Sequence, residues 1–231
     1  MTRPKSFDDA TRYERQIRAL VPGYDVLHAV IPAMLRAACT NPRRILVVGC
    51  GTGTEAIAVA RTFAGCEVDC VDPSSEMIEH AATAIRKAGL ESRVRVNACE
   101  LNRFVVEQPY DAVVSTLVGH LIPDDGARAS FLCDIAGAMA HGASALVTEI
   151  ECSTHEGSLL VDAHLKCSSA SGVSADRLEL LKARLTHGFH MLERSRFEEL
   201  AGAAHMQVHE EFFRCFNVVG RRLVRSQRVE A

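Results

Sequence analysis

Residues Arg44–Ala60 read RILVVGCGTGTEAIAVA: an apolar run, a turn carrying three glycines, and a second apolar run at helical spacing. A short apolar run bounded by turn residues suits a strand buried on both faces, and it is placed at 45–49, with a helix following at 54–63. Glycine at 49, 51 and 53 lets the backbone take positive φ and lets a ligand approach without meeting a Cβ. A strand-to-helix turn at the carboxyl edge of a parallel sheet is the expected ligand crevice. The dinucleotide fingerprint GxGxxG needs its third glycine at 54, where Thr54 stands. The spacing here is GxGxG, a poor match to a pyrophosphate cradle.

The alternation continues downstream. Strands are expected at 67–71, 93–97, 110–116 (YDAVVST) and 143–150 (ASALVTEI), with helices at 74–88 and 126–139. The chain closes with a helix at 195–203 and two strands, MQVHEEFFR and FNVVGRRLV, read as an antiparallel hairpin on the sheet. Strands alternating with helices predict an α/β fold: a Rossmann-like, seven-stranded, mostly parallel sheet with helices on both faces. Residues 7–39 read as helical with a break at VPGY, after which Leu27, Ile31, Met34 and Leu35 share one face. Residues 151–195 are interrupted by Ser and Gly, with weak helical stretches on each side of SSASG, and are read as a lid over the site. The expectation is one domain in four parts: an N-terminal helical cap (1–40), a cofactor-binding core (41–150), the lid (151–195), and the C-terminal helix and hairpin (196–231).

Composition narrows the partners. Lys and Arg number 26 against 29 Asp and Glu, a formal net charge of −3. Broad binding of nucleic-acid phosphates needs a concentrated positive face, and the only basic cluster, GRRLVRSQR, reads as a solvated strand and tail. The nine cysteines form no CxxC pair, and several lie within apolar runs. They suit a reducing cytoplasm rather than a disulfide framework. The N-terminal residues lack the apolar stretch of a signal peptide, and no apolar run is long enough to span a bilayer. A soluble cytoplasmic protein is expected, with no nucleic-acid or membrane partner.

The second strand ends in VDCVDPSSEMIEHA and places Asp72 at its tip, where a carboxylate can accept both hydroxyls of a ribose. A glycine turn and an acid at this spacing fit an adenosine-containing ligand. A tight βα turn and a polar residue at the start of a helix are the plain alternatives. Beyond the fourth strand, STLVGHLIPDD carries His120, whose side chain titrates near neutrality and is a candidate general base. A loop histidine bonded to backbone is the competing reading. His205 and His209 with Glu210 and Glu211, and His187 with His190, have spacings that suggest metal ligands. No cysteine completes a tetrahedral set near the first group, and no metal is expected. Cys50 is read as a small residue chosen for fit.

These segments together resemble the class I S-adenosylmethionine-dependent methyltransferases. VVGCGTG is similar to that family's first motif and VDPSSEMIEHA to its second; RVRVNACELNRF, YDAVVSTLVGHLIPDD and DIAGAMAHGASALVTEI resemble the later ones. The resemblance implies S-adenosyl-L-methionine as cofactor and S-adenosyl-L-homocysteine as product. It places Gly49, Cys50, Gly51, Gly53, Asp72, Pro73, Met77, Glu100, Leu101 and Thr116 around the cofactor. YERQIRALVPGY and FFRCFNVVG are closer to one subgroup, the carboxy-S-adenosylmethionine synthases, which transfer a carboxyl-derived group from prephenate to the sulfonium. By that likeness Tyr13 and Tyr24 approach the cofactor, and the lid arginine that holds the extra carboxylate falls on Lys182, with Arg184 two residues on. Lysine is a point charge and a poorer match than arginine to a planar carboxylate. Methyl transfer to a small-molecule acceptor is therefore the expected reaction, with Tyr24 and His120 nearest the chemistry and His120, Lys182 and Arg184 toward the acceptor. Carboxyl transfer is the alternative, and a cofactor-binding subunit without chemistry is a third. A homodimer is expected from the apolar cap and lid.

Overall fold

The computed structural model describes residues 7–152 and 159–226. The start of the N-terminal segment, lid residues 153–158 and the end of the basic tail lie outside these. A seven-stranded sheet runs in the order β3-β2-β1-β4-β5-β7-β6. Its strands are β1 (Arg44–Val48), β2 (Glu67–Val71), β3 (Val94–Asn97), β4 (Tyr110–Thr116), β5 (Met139–Ile150), β6 (Met206–Cys215) and β7 (Val218–Arg225). β1 pairs in parallel with both β2 and β4, and β4 with β5. Only β7 is reversed, antiparallel to β5 and to β6.

The central strands are apolar runs because both of their faces are covered. One face packs on α2 (Tyr24–Ala38), α3 (Thr54–Thr62) and α4 (Ser75–Lys87) through Leu27, Ile31, Val59 and Ile85. The other packs on α5 (Ala127–Ala138) and α8 (Arg194–Ala203) through Phe131, Leu132, Phe197 and Leu200. The expected α2 stripe forms: Leu27, Ile31 and Leu35 are buried, and Met34 packs beside them. α1 (Phe7–Leu20) precedes it, and Gly23, at φ 76, turns the chain between the two. Sheet order reverses between β1 and β4, which opens a crevice at the carboxyl ends of those strands.

β5 begins four residues earlier than expected. Met139 pairs with Tyr110, and the register then shifts before Ala112 meets Ser144. The segment expected to be a lid forms α6 (Leu159–Ala170), α7 (Ala175–Ala183) and a π-helical turn at Arg184–Gly188. Leu181 and Leu185 pack with Ile150, Leu20 and Leu117, so the lid touches the tip of β5, the end of α1 and the residue after β4. Among the described residues no helix is long and apolar enough to cross a membrane.

Candidate cofactor and acceptor site

The turn after β1 is pinned from beneath. The Gly49 and Cys50 amides both donate to the Val71 carbonyl, at 2.8 and 3.2 Å, which ties the turn to the end of β2. A Cβ on Gly49 would lie 2.2 Å from Val118 Cγ2, and φ there is +69°, so packing and backbone both demand glycine. Gly51 differs: no atom comes within 4 Å of where its Cβ would stand. The middle of the turn therefore faces open space. The Cys50 side chain points the other way, buried in the core beside the Cys70 thiol. Any part that Cys50 plays toward a ligand is through its backbone.

Asp72 closes the turn. Its Oδ2 accepts the Gly51 amide at 3.0 Å and its Oδ1 accepts the Ser74 amide at 2.8 Å. Ser74 in turn caps α4 by accepting the Met77 amide at 3.3 Å. A carboxylate has about four acceptor positions. Two are used, so capacity for two ribose hydroxyls remains. Of the other residues expected here, Pro73 and Glu100 are exposed, while Met77 and Leu101 are half-buried.

Helices α1 and α2 lie over this turn. Thr52 donates to Glu14 Oε1 at 3.0 Å, and His28 bridges the Tyr24 carbonyl and Glu55. Burial raises the Tyr13 phenol, and the Glu55 and Asp72 carboxylates add to it. Tyr13 is thus within electrostatic reach of Asp72. Burial likewise pushes the Tyr24 phenol far up, helped by Glu55, Tyr13 and Glu14 and opposed by Arg18. Both tyrosines stay protonated at physiological pH.

Across the crevice, Thr116 ends β4 beside its register partner Thr148 on β5. Neither buried hydroxyl has a hydrogen-bond partner. Such orphans are uncommon in folded proteins and mark a place that a ligand or water completes. The next residue, Leu117, takes φ +58°, a conformation unusual for a branched side chain. His120 follows in a short 3-10 turn and is buried, with its Nδ1 unpartnered. Its ring meets Phe189 of the lid edge-on, 4.7 Å between centroids, and its carbonyl accepts the His190 amide. The expected titration near neutrality is corrected here: burial, with Arg128 nearby, pushes His120 down to about 3. It is a neutral hydrogen-bonding group and a weak base in this setting.

The charged pair that organises this region was not foreseen. Arg128 Nη1 lies 2.8 and 2.7 Å from the two Glu149 oxygens, with both side chains buried. Arg128 Nη2 also donates to the carbonyls of Ile122 and His190. Burial raises the Glu149 carboxyl against the opposing pull of Arg128 and Arg221. A Cβ on Gly119 would stand 1.7 Å from Glu149 Oε1, so the glycine before His120 is required by this pair. The one sequence signal was Glu149, a lone charge ending the apolar run ASALVTEI.

In the lid, Lys182 is exposed, whereas the Arg184 guanidinium lies 5.9 Å from the Phe189 ring centroid. Arg184, rather than Lys182, is the lid cation that packs beside the His120 contact. The histidine groups weighed as metal ligands do not converge. Glu210 pairs with Arg222 and Glu211 with Arg214, and among the described residues no group of three His, Cys, Asp or Glu is placed to hold a metal.

A doubly wound sheet with this turn, this acid and this strand order has the S-adenosylmethionine-dependent methyltransferase fold. Residues 45–142 match the family described as Methyltransferase domain. Over nearly its whole length the chain is similar to carboxy-S-adenosyl-L-methionine synthase of Vibrio cholerae serotype O1: 23% identical, covering 92% of this chain and 88% of the relative. Among solved structures it is similar to the plantazolicin methyltransferase BpumL in complex with a pentazolic desmethyl analogue and SAH. The TM-score is 0.67 at 14% identity, over 95% of this chain and 91% of that one. It is also similar to the mitomycin 7-O-methyltransferase MmcR, with TM-score 0.62 and 18% identity, over 84% of this chain. The chain spans about half the length of that enzyme, 53%.

Proposed function

We propose that this protein binds S-adenosyl-L-methionine at the glycine turn and transfers its methyl group to a small-molecule acceptor. The observation that carries this reading is the turn itself: Gly51 faces open space while its amide is fixed on Asp72, opposite the unpartnered Thr116 hydroxyl. Glycine turn, Asp72, Tyr13 and Tyr24 would hold the cofactor, with Met77, Glu100 and Leu101 toward the adenine side. When bound, the cofactor would supply a sulfonium-activated methyl carbon for an acceptor lone pair, with S-adenosyl-L-homocysteine as the leaving product. The chain's part is to align the acceptor and exclude water; orientation alone supplies much of such a rate enhancement. Tyr13 and Tyr24 close the crevice from the cap, and Phe189 closes it from the lid. His120, neutral, orients an acceptor by hydrogen bonding.

His120→Ala is expected to lower turnover by about tenfold or more while leaving cofactor affinity nearly unchanged. Kinetics beside calorimetric titration of the cofactor separate the two, and unchanged turnover removes His120 from the mechanism. Transfer of label from methyl-deuterated S-adenosylmethionine to small hydroxyl, amine and carbon acceptors tests the reaction itself.

A second reading has its own support. The relatives that match almost end to end are named carboxy-S-adenosyl-L-methionine synthase, and Arg184 offers a guanidinium beside Phe189. A planar guanidinium suits a carboxylate. On this reading, prephenate donates a carboxyl-derived group to the cofactor, and incubation with both yields a cofactor heavier by one carboxyl group. A homodimer in the cytoplasm fits the exposed Val26, Leu159 and Leu180 on cap and lid and the nine cysteines held as thiols.

A further inference from the structure

The cap meets the cofactor turn through His28. Its Nδ1 lies 2.8 Å from the Tyr24 carbonyl and its Nε2 lies 3.0 Å from Glu55 Oε1. Both partners accept only, so the form that satisfies both ring nitrogens is the doubly protonated imidazolium. The pair is shielded, with side chains 9% and 12% exposed. The His28 ring stacks on Tyr24, 3.9 Å between centroids and tilted by 33°. Glu55 belongs to the first turn of α3, directly after Gly53 ends the glycine turn. Thr52, within the turn, is bonded to Glu14 of α1. Both cap helices are therefore fastened to the same few residues, and Tyr13 and Tyr24 are aromatic rings that they carry.

We propose that His28, held as a cation between Tyr24 and Glu55, is a positioning residue that keeps the cap closed over bound cofactor, so that cofactor leaves only when this pair opens. This rests on the turn being the S-adenosylmethionine site. The groups around the imidazole support its charged state. Burial works against it, but the Glu55 hydrogen bond and charge, the Tyr24 carbonyl and Asp25 on the same helix together raise it above the ordinary value. On α1, Tyr13, Glu14 and Arg18 surround the adjoining Tyr24, and the Cys215 thiol of β6 lies against Gly23. A raised histidine contributes its pairing fully below the ordinary histidine value and loses it as pH rises through the raised one. Closure therefore weakens on the alkaline side.

The test is the release of radiolabelled S-adenosylmethionine from the full-length protein, chased with excess unlabelled S-adenosylhomocysteine across pH 5.5–9, an interval set about the histidine range. In the wild type the release rate rises with pH through the His28 titration. His28→Ala and Glu55→Gln each release about tenfold faster at the acidic end and lose the pH dependence, consistent with a charged hydrogen bond. Their double variant releases no faster than either single one. His28→Lys keeps a permanent cation and restores slow release without pH dependence. A flat wild-type profile overturns the proposal even if no variant folds, as do folded variants that release at the wild-type rate. A wild type that binds no S-adenosylmethionine overturns the site assignment as well.

Discussion

Arg128→Met is expected to destabilise the protein by about 3–5 kcal/mol, because it strands the Glu149 carboxylate without its partner in the interior. The loss exceeds that of an exposed ion pair because neither group has water to turn to. Arg128 also satisfies the Ile122 and His190 carbonyls, which belong to the segment after β4 and to the lid's exit. Its removal should loosen the setting of His120 as well as lower the urea midpoint. Replacing both partners with apolar residues, Arg128→Met with Glu149→Leu, is expected to recover much of the loss, since a buried pair exchanged for packed apolar groups is often near neutral. Urea unfolding of the wild type and these two variants checks this. A single-variant loss under about 1 kcal/mol would mean that water or another group reaches Glu149.

Asp72→Ala is expected to weaken cofactor binding by about a hundredfold. Two effects act together. The carboxylate's spare acceptor positions would take the ribose hydroxyls of the proposed cofactor, and a hydrogen bond to a charged group is worth about 1.5–3 kcal/mol. The same carboxylate holds the Gly51 and Ser74 amides, so its loss also frees the turn. With about 1.4 kcal/mol per tenfold, roughly 3 kcal/mol of lost interaction gives that factor. Asp72→Asn, which keeps one acceptor oxygen, should fall between the two. Calorimetric titration with S-adenosylhomocysteine measures all three; equal affinities would detach Asp72 from the site.

The strand–turn–helix core was legible because its signals are local. The apolar run and the glycines lie within a few residues of one another, the acid directly follows its own apolar strand, and β2 falls at 67–71 as expected. β5 was misjudged at its start because the expected helix was carried to 139 and the strand begun at Ala143, yet the backbone runs from Met139 through an irregular register into the strand. The site's electrostatics were not legible, because they depend on burial by segments far apart in the chain. His120 loses its basicity to a setting that includes Phe189 and Arg128. His28 finds Glu55 across 27 residues. Lys182 stands exposed while Arg184 lies beside Phe189, where α7 ends in a π-helical turn that the sequence does not announce.

The central claim is that the GxGxG turn and Asp72 hold an S-adenosyl cofactor. Mass spectrometry of the small molecule released from the purified, denatured protein tests it most directly. S-adenosylmethionine, S-adenosylhomocysteine, or the former carrying one added carboxyl group is the predicted result, and the last of these selects the synthase chemistry. Recovery of NAD or FAD would contradict it.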